Sequence, residues 1–364
     1  MSGEHTPTQL PLPVYLRAFY ILALGSIIYL ILRLGANLLI PLTLAALLSM
    51  LLTPLTGWLE KKHLGRLLGA ALPVLLIIAF FFVLSGLAVR QIMHIGESLA
   101  DAPDRLSESY RRVDDFLIWH LGLEESPMPE FEEERITMFL GEYSGELLSF
   151  MGGFAGLAFG AILIPAFTFF LLFYRHHLQG FVVRLFSRSP EHLVQQHTEE
   201  MRSVAQKYLV GVITVSAILA VLNSTALFLI GVEHAIFFGV FAGLLNIVPF
   251  FGPFFGAILP VLYVYLMRDS LLYPLVVVGA FIVIQLMESY FLTPKIIGSN
   301  VHLNPLVIFF GLLVGALVWG VIGMIIIIPV LSIVMQFFKL SPMTEPFAFL
   351  LGPSCKKPKA GEET

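Results

Sequence analysis

Gln285 and Glu288 are the residues of this chain best suited to handling a proton, a cation or a polar solute. They sit in an otherwise apolar stretch, with 274–284 before them and Tyr290, Phe291 and Leu292 after. Three residues apart, they share one face of a helix. A carboxylate beside an amide can bind a cation, relay a proton or hydrogen-bond a solute. An ionisable residue within a membrane segment is costly and marks function by default. The competing reading places Glu288 at a membrane interface, paired with Lys295 or Arg268.

A second polar group lies in the stretch NIVPFFGPFFGAILPVL, residues 246–262. Pro249 and Pro253 lack the amide hydrogen and clash with a carbonyl one turn back. Gly252 permits a tight turn. Backbone groups freed by such a break cannot face lipid, so they must face protein or a water-filled cavity. Transporters build midplane sites from interrupted helices of this kind. Asn246, Pro249, Gly252 and Pro253 are therefore candidate solute-binding residues, with Gln285 and Glu288. The plainer alternative is a kink in which Asn246 is satisfied locally.

Thr293 to Pro305 is a polar connection containing Pro294, Lys295, Gly298, Asn300, His302 and Asn304. Pro294, Lys295, Gly298 and Pro305 are candidate hinge or gate residues beside Glu288; the alternative is a loop and nothing more. No enzyme signature accompanies these groups. H-E-x-x-H, G-x-S-x-G and G-x-x-x-x-G-K-[ST] are all missing. His176, His177, His192 and His197 lack a ligand spacing and suit a solvated helix. The one cysteine, Cys355, excludes an intrachain disulfide framework. We expect no catalytic site, no bound metal and no cofactor, and a coupling ion of H+ or Na+.

The elements that must carry these residues are membrane helices. The 364 residues are 57% hydrophobic and only 13% charged, about half the charge of a soluble domain. Apolar runs fall at 14–32, 38–55, 67–89, 147–174, 208–230, 235–267, 271–292 and 305–338. The expectation is an all-α polytopic membrane protein of about eight membrane segments. Run 14–32 is too long for a signal-peptide core and no A-x-A site follows, so it is expected to be the first membrane helix. Runs 235–267 and 305–338 exceed 30 residues and carry Gly and Pro, so each either spans once as a bent helix or re-enters as a hairpin. The first choice puts Arg268 inside; the second puts Lys295 inside. Basic clusters at 61–66, 175–207 and 339–359 place both termini in the cytoplasm. A net charge of −4 suggests no nucleic-acid partner.

Four regions follow: 1–90, an N-terminal three-helix membrane region; 91–146, an outer segment; 147–338, a transport core; and 339–364, a cytoplasmic tail. The outer segment holds fourteen of the 25 acids. Ile92, Ile95, Leu99, Ala102, Leu106, Val113 and Phe116 follow helical spacing, which suits either a cover for the protein's own outer face or an oligomer contact. The two long runs resemble one another: Ile236-Phe237-Phe238-Gly239-x3-Gly243 matches Ile308-Phe309-Phe310-Gly311-x3-Gly315, and Pro260-Val261-Leu262 matches Pro329-Val330-Leu331.

The spaced set Asn246, Pro249, Gly252, Pro253, Gly256 and Pro260 resembles the signature of the autoinducer-2 exporter family. Gln285, Glu288, Pro294, Gly298, Leu303, Pro305, Gly311, Gly315, Gly320, Gly323 and Pro329 fit as well, and Tyr208–Gly211 is similar. The resemblance covers the whole layout. It implies a permease of the bacterial inner (cytoplasmic) membrane that forms a homo-oligomer. Members are assigned export of the signal autoinducer-2, and some are assigned sodium/proton antiport. On this reading the chain is a secondary transporter of a small polar solute, or an antiporter of a monovalent cation, working by alternating access in the lipid bilayer. The alternatives are a passive channel, or a scaffold that recruits a partner through its acidic outer segment.

Overall fold

A computed structural model of the protein describes residues 13–98, 118, 154–185, 191–249, 251–268, 270–298, 303–340 and 343–353. Every described element is helical, as the composition requires. Helices α1 (Val14–Leu34), α2 (Ala36–Lys61) and α3 (Arg66–Ser98) open the chain. α3 runs on to Ser98, so the start of the acidic outer segment prolongs that helix. Apart from Ile118, the segment from 99 to 146 lies outside the described residues, and so do the seam positions from Leu99 onward.

α4 (Phe154–Phe173) packs against α2 and α3. Leu52, Ala70, Val74 and Leu172 form the shared core of that group. One residue later α5 (Arg175–Leu185) begins. α6 (Glu191–Ile230) is the longest unbroken helix described, at 40 residues. At 1.5 Å per residue it spans about 60 Å, twice the hydrocarbon thickness, so its polar N-terminal half must project beyond the bilayer.

The first long run does not cross as one helix. α7 (Ala235–Leu245) runs back along α6, where a methyl group on Gly243 would come within 2.6 Å of the Ala220 nitrogen. The chain then turns after Leu245 and returns as α8 (Phe251–Met267). Gly256 faces Ala242, so α7 and α8 form an antiparallel pair. α9 (Leu272–Met287) follows, then a π-helical turn (Glu288–Leu292) and the short α10 (Thr293–Ile296).

The second long run, α11 (Pro305–Phe338), also folds back. Its backbone leaves helical geometry at Trp319 and at Gly320, where φ is 63° and ψ is −141°. Only glycine adopts that conformation at low cost. The two arms then meet: a methyl on Gly315 would lie 2.6 Å from the carbonyl oxygen of Gly323. Of the two forms open from sequence, both long runs take the folded-back one. A final short helix, α12 (Glu345–Leu351), closes the described chain. By length and composition five stretches among the described residues are long and apolar enough to cross a membrane; one of them is α11, which its fold-back keeps from crossing as a single straight helix, and the class is a polytopic membrane protein.

The hairpins start from opposite ends of the apolar half of α6, near Leu227 and near Tyr208. The base of the first is cemented by Leu227, Val232, Tyr263, Val264 and Val277 near the α6 C-terminus. The base of the second meets Tyr208 through Leu303, Met335 and Ala348. Val248, in the turn of the first hairpin, belongs to the same core as Leu312, Met324 and Ile328 of the second. The matched glycines of the two runs thus do different work. Gly243 seats α7 on α6, whereas Gly315 seats one arm of α11 on the other.

Near the base of the first hairpin, α3 contributes Gln91 and His94. The Gln91 amide lies within hydrogen-bond distance of His234 Nδ1, and the His94 ring stands edge-on to His234 at 5.3 Å. The Tyr263 ring also stands edge-on to His234, at 5.7 Å, with Glu233 adjacent. Burial, and then the neighbouring His94, hold the His234 imidazole below the ordinary histidine range, while Glu233 pulls weakly the other way.

Two predictions follow from this packing. Gly315→Leu must force the hairpin arms apart and should cost about 1–3 kcal/mol, seen as a lower unfolding temperature in detergent. Gly279→Ala meets nothing within 4 Å and should be tolerated. Since His234 has a lowered pKa in the fold, its contribution is present above about pH 6.5 and is lost as pH falls through the folded value. The unfolding temperature should therefore drop between about pH 7.5 and about pH 5.5, and His234→Gln should shrink that drop. An equal drop in the variant would exclude His234 as its cause.

Candidate functional site

The turn that begins at Asn246 closes on itself. The amide of Asn246 donates to Ala242 O, Ile247 to Leu244 O, Val248 to Leu245 O and Gly252 to Val248 O, at 2.9–3.2 Å. Pro249 and Pro253 have no amide to satisfy. The break therefore leaves few free backbone donors among the described residues of the turn. What it exposes instead is the Asn246 side chain, half-buried at the end of α7.

Asn246 faces a cavity of about 220 Å³ between α6, α7, α8 and α9. Its polar lining is three carboxamides: Asn223 from α6, Asn246 from α7 and Gln285 from α9. Leu219, Phe254 and Phe281 supply apolar wall, and no ionisable side chain lines it. Pro253 borders the same cavity. Pro249 and Gly252 shape the turn instead: Gly252 is buried against the backbone of Leu245, where any side chain would clash.

Asn223 is only 5% exposed, and its Oδ1 has no hydrogen-bond partner. A buried amide oxygen without a partner costs about 1–3 kcal/mol, so the site is polar at the expense of stability. The sequence reading passed over Asn223. The available signal was an asparagine two-thirds of the way along the apolar run 208–230.

Glu288 is buried and opens the π-helical turn. The wider turn gathers three donors on its carboxylate. Gln285 Nε2 donates to Oε2 at 2.8 Å and Ser289 Oγ to the same atom at 3.0 Å; Thr293 Oγ1 donates to Oε1. No cation among the described residues stands within ion-pair distance. Arg268 instead donates to Gly231 O at 2.6 Å and lies over the Tyr273 ring. Glu288 is not part of the cavity wall, but Gln285 is, and Gln285 donates to it. That single amide joins carboxylate and cavity.

The hinge candidates lie elsewhere. Pro294 and Lys295 border an open, largely apolar cleft with Tyr290 and Phe291. Gly298 ends α10, its amide donating to Thr293 O. Pro305 is the first residue of α11 behind Asn304, whose Oδ1 accepts from the Leu306 amide at 3.0 Å. None of the four lines the amide cavity. Asn300 and His302 lie outside the described residues.

The second hairpin solves its own break differently. Arg33, at the end of α1, donates to the carbonyl oxygens of Val318 at 3.1 Å and Leu317 at 3.5 Å. Trp319 Nε1 donates back to Leu32 O at 2.9 Å. Carbonyls freed by the kink are thus capped by a cation from another helix. The sequence reading did not assign Arg33 a role.

With this geometry in hand, comparison with known proteins is informative. The model of the "AI-2E family transporter" family matches residues 18–343. "Putative transport protein YrrI" of Bacillus subtilis (strain 168) is 28% identical over 314 residues, covering 82% of this chain and 86% of its own length. "Putative transport protein YhhT" of Escherichia coli (strain K12) is 24% identical over 328 residues, covering 89% and 90%. Neither name states a solute.

Asn223 offers a test of whether the cavity is built for a ligand or for packing. Asn223→Leu removes an unpartnered buried oxygen at similar volume. It should hold or raise the unfolding temperature, while flux through reconstituted protein falls at least about tenfold. A structural amide would give the opposite: a lower unfolding temperature with flux per folded molecule unchanged.

Proposed function

Since the chain belongs to the AI-2E family of transporters, we propose that it is a permease carrying a small polar solute through the amide-lined cavity beside the first hairpin turn. The observation that carries this is the convergence of Asn223, Asn246 and Gln285 from three helices on one cavity without a charge. Amides both donate and accept, so such a wall suits hydroxyl and carbonyl groups, or a cation stripped of part of its water. A cavity of about 220 Å³ suits a solute of few heavy atoms.

Movement is by alternating access. Two hairpins rooted at opposite ends of the apolar half of α6 meet where Val248 packs on the second hairpin. Shifting one against the other opens the cavity toward one face of the membrane and shuts it from the other. Glu288 binds the coupling H+ or Na+. Ionised, it accepts from Gln285, Ser289 and Thr293. Protonated, it becomes a donor at one oxygen; the Ser289 and Thr293 hydroxyls can turn to accept that proton, whereas the Gln285 NH2 group cannot. Gln285 is the partner that also borders the cavity, so its amide turns toward the solute as the proton arrives. Carboxylate and solute are thereby linked through one side chain.

Bacterial relatives and the distribution of basic residues support a place in the cytoplasmic membrane with both termini inside. Assembly as a homo-oligomer belongs to the same reading, resting on the family resemblance and the amphipathic spacing of 91–146.

Proteoliposomes test the coupling. Flux of autoinducer-2, and proton flux under an imposed sodium gradient, should both depend on pH in the intact protein. Glu288→Gln mimics the protonated carboxyl and should flatten that dependence. A variant with an unchanged pH profile and unchanged flux would remove Glu288 from the mechanism.

A further inference from the structure

The end of the molecule formed by the α2–α3 turn and α5 carries a feature that solute transport does not use. α5 follows the apolar α4 after a single residue, Tyr174. Its sequence, RHHLQGFVVRL, has three faces. Val182 and Val183 pack inward on the core of Val194, Met201 and Leu340. Leu178, Phe181 and Leu185 form a second stripe, 41%, 58% and 58% exposed. His176, His177 and Arg184 form the third, and all are exposed.

This helix is held against the end of α2. Arg175 Nη1 donates to Glu60 Oε1 at 3.0 Å, and Nη2 pairs with Oε2. That pairing cancels the one acid of the α2–α3 turn. The exposed Lys61, Lys62 and Arg66 beside it remain uncompensated among the described ion pairs. Trp58 is 52% exposed, with the Lys62 ammonium 4.0 Å above its ring, and Leu67 and Leu68 are exposed next to them.

The Glu60–Arg175 pair sets the start of α5 beside the end of α2, so an exposed apolar stripe, an aromatic ring and a row of cations share one end of the molecule. A helix with this division of faces lies in the plane of a bilayer surface. Exposed tryptophan and lysine side chains mark the same depth. Cations there attract acidic headgroups at about 1 kcal/mol each, close to a fivefold preference.

We infer that Lys61, Lys62, Arg66 and Arg184, with the apolar stripe of α5, form a docking surface for anionic phospholipid headgroups. The surface selects acidic over zwitterionic lipid and fixes α5 in the interface. It is independent of the amide cavity, so its failure would leave the transport reading untouched.

Native mass spectrometry of the full-length protein released from mixed phosphatidylglycerol and phosphatidylcholine nanodiscs tests this. The intact protein should retain phosphatidylglycerol several-fold above its share of the bilayer. Lys61→Gln, Lys62→Gln and Arg184→Gln together should bring retention to that share, with the unfolding temperature in phosphatidylcholine unchanged. Hydrogen exchange in α5 should slow in phosphatidylglycerol relative to phosphatidylcholine for the intact protein, and not for the triple variant. Equal retention of the two lipids by the intact protein, or undiminished phosphatidylglycerol enrichment in the variant, overturns the assignment. Loss of enrichment with a collapsed unfolding temperature would also count against it, as a sign that these cations hold the fold rather than lipid.

Discussion

A backbone amide or carbonyl cannot be left facing hydrocarbon, and the architecture of this transporter depends on how that demand is met at two broken helices. The first hairpin meets it alone. Its turn carries prolines where amides would be wasted and closes the remaining amides on carbonyls one turn back. The second hairpin turns so sharply, through Gly320, that carbonyls at Leu317 and Val318 need an outside partner. Arg33 supplies it from the far end of the sequence. One hairpin is thus self-contained, and the other is tied to α1.

That difference bears on function. A self-closed turn leaves its side chains available, and Asn246 projects from this one into a cavity with Asn223 and Gln285. The carboxylate that sequence logic favoured is set apart, its oxygens held by three local donors in a π-helical turn. Separating the charge from the amides avoids placing an unpaired carboxylate against the largely apolar cavity wall, a costly arrangement. Gln285 belongs to both arrangements, and in the proposed mechanism it is the side chain through which one would sense the other.

Much of this was legible in the chain. Apolar run lengths, the Gly and Pro interruptions and the polar residues Asn246, Gln285 and Glu288 all follow from simple membrane physics, and the all-helical class with them. The folded-back form of the long runs was one of two options, because apolar halves of similar length satisfy hydropathy either way. The parts that could not be read are long-range. Nothing local to Asn223 marks its orphaned oxygen, nothing near Arg33 points to Val318, and nothing in the spacing of Gln285 and Glu288 announces a π-helical turn that recruits Ser289 and Thr293. The internal repeat misled in one respect: equal glycine spacing did not mean equal packing, since Gly243 faces α6 and Gly315 faces its own hairpin.

The central claim is that the amide cavity lies on the solute path. Replacing the one native cysteine, Cys355→Ser, permits a single reporter thiol at Ala257→Cys, on the cavity wall but outside the three carboxamides. Its reaction with a small membrane-impermeant thiosulfonate, followed in sealed vesicles of known orientation, measures access directly. The account predicts modification from at least one side of the membrane and slower modification when transported solute is present. A thiol that stays inert from both sides, in protein that still transports, would contradict it.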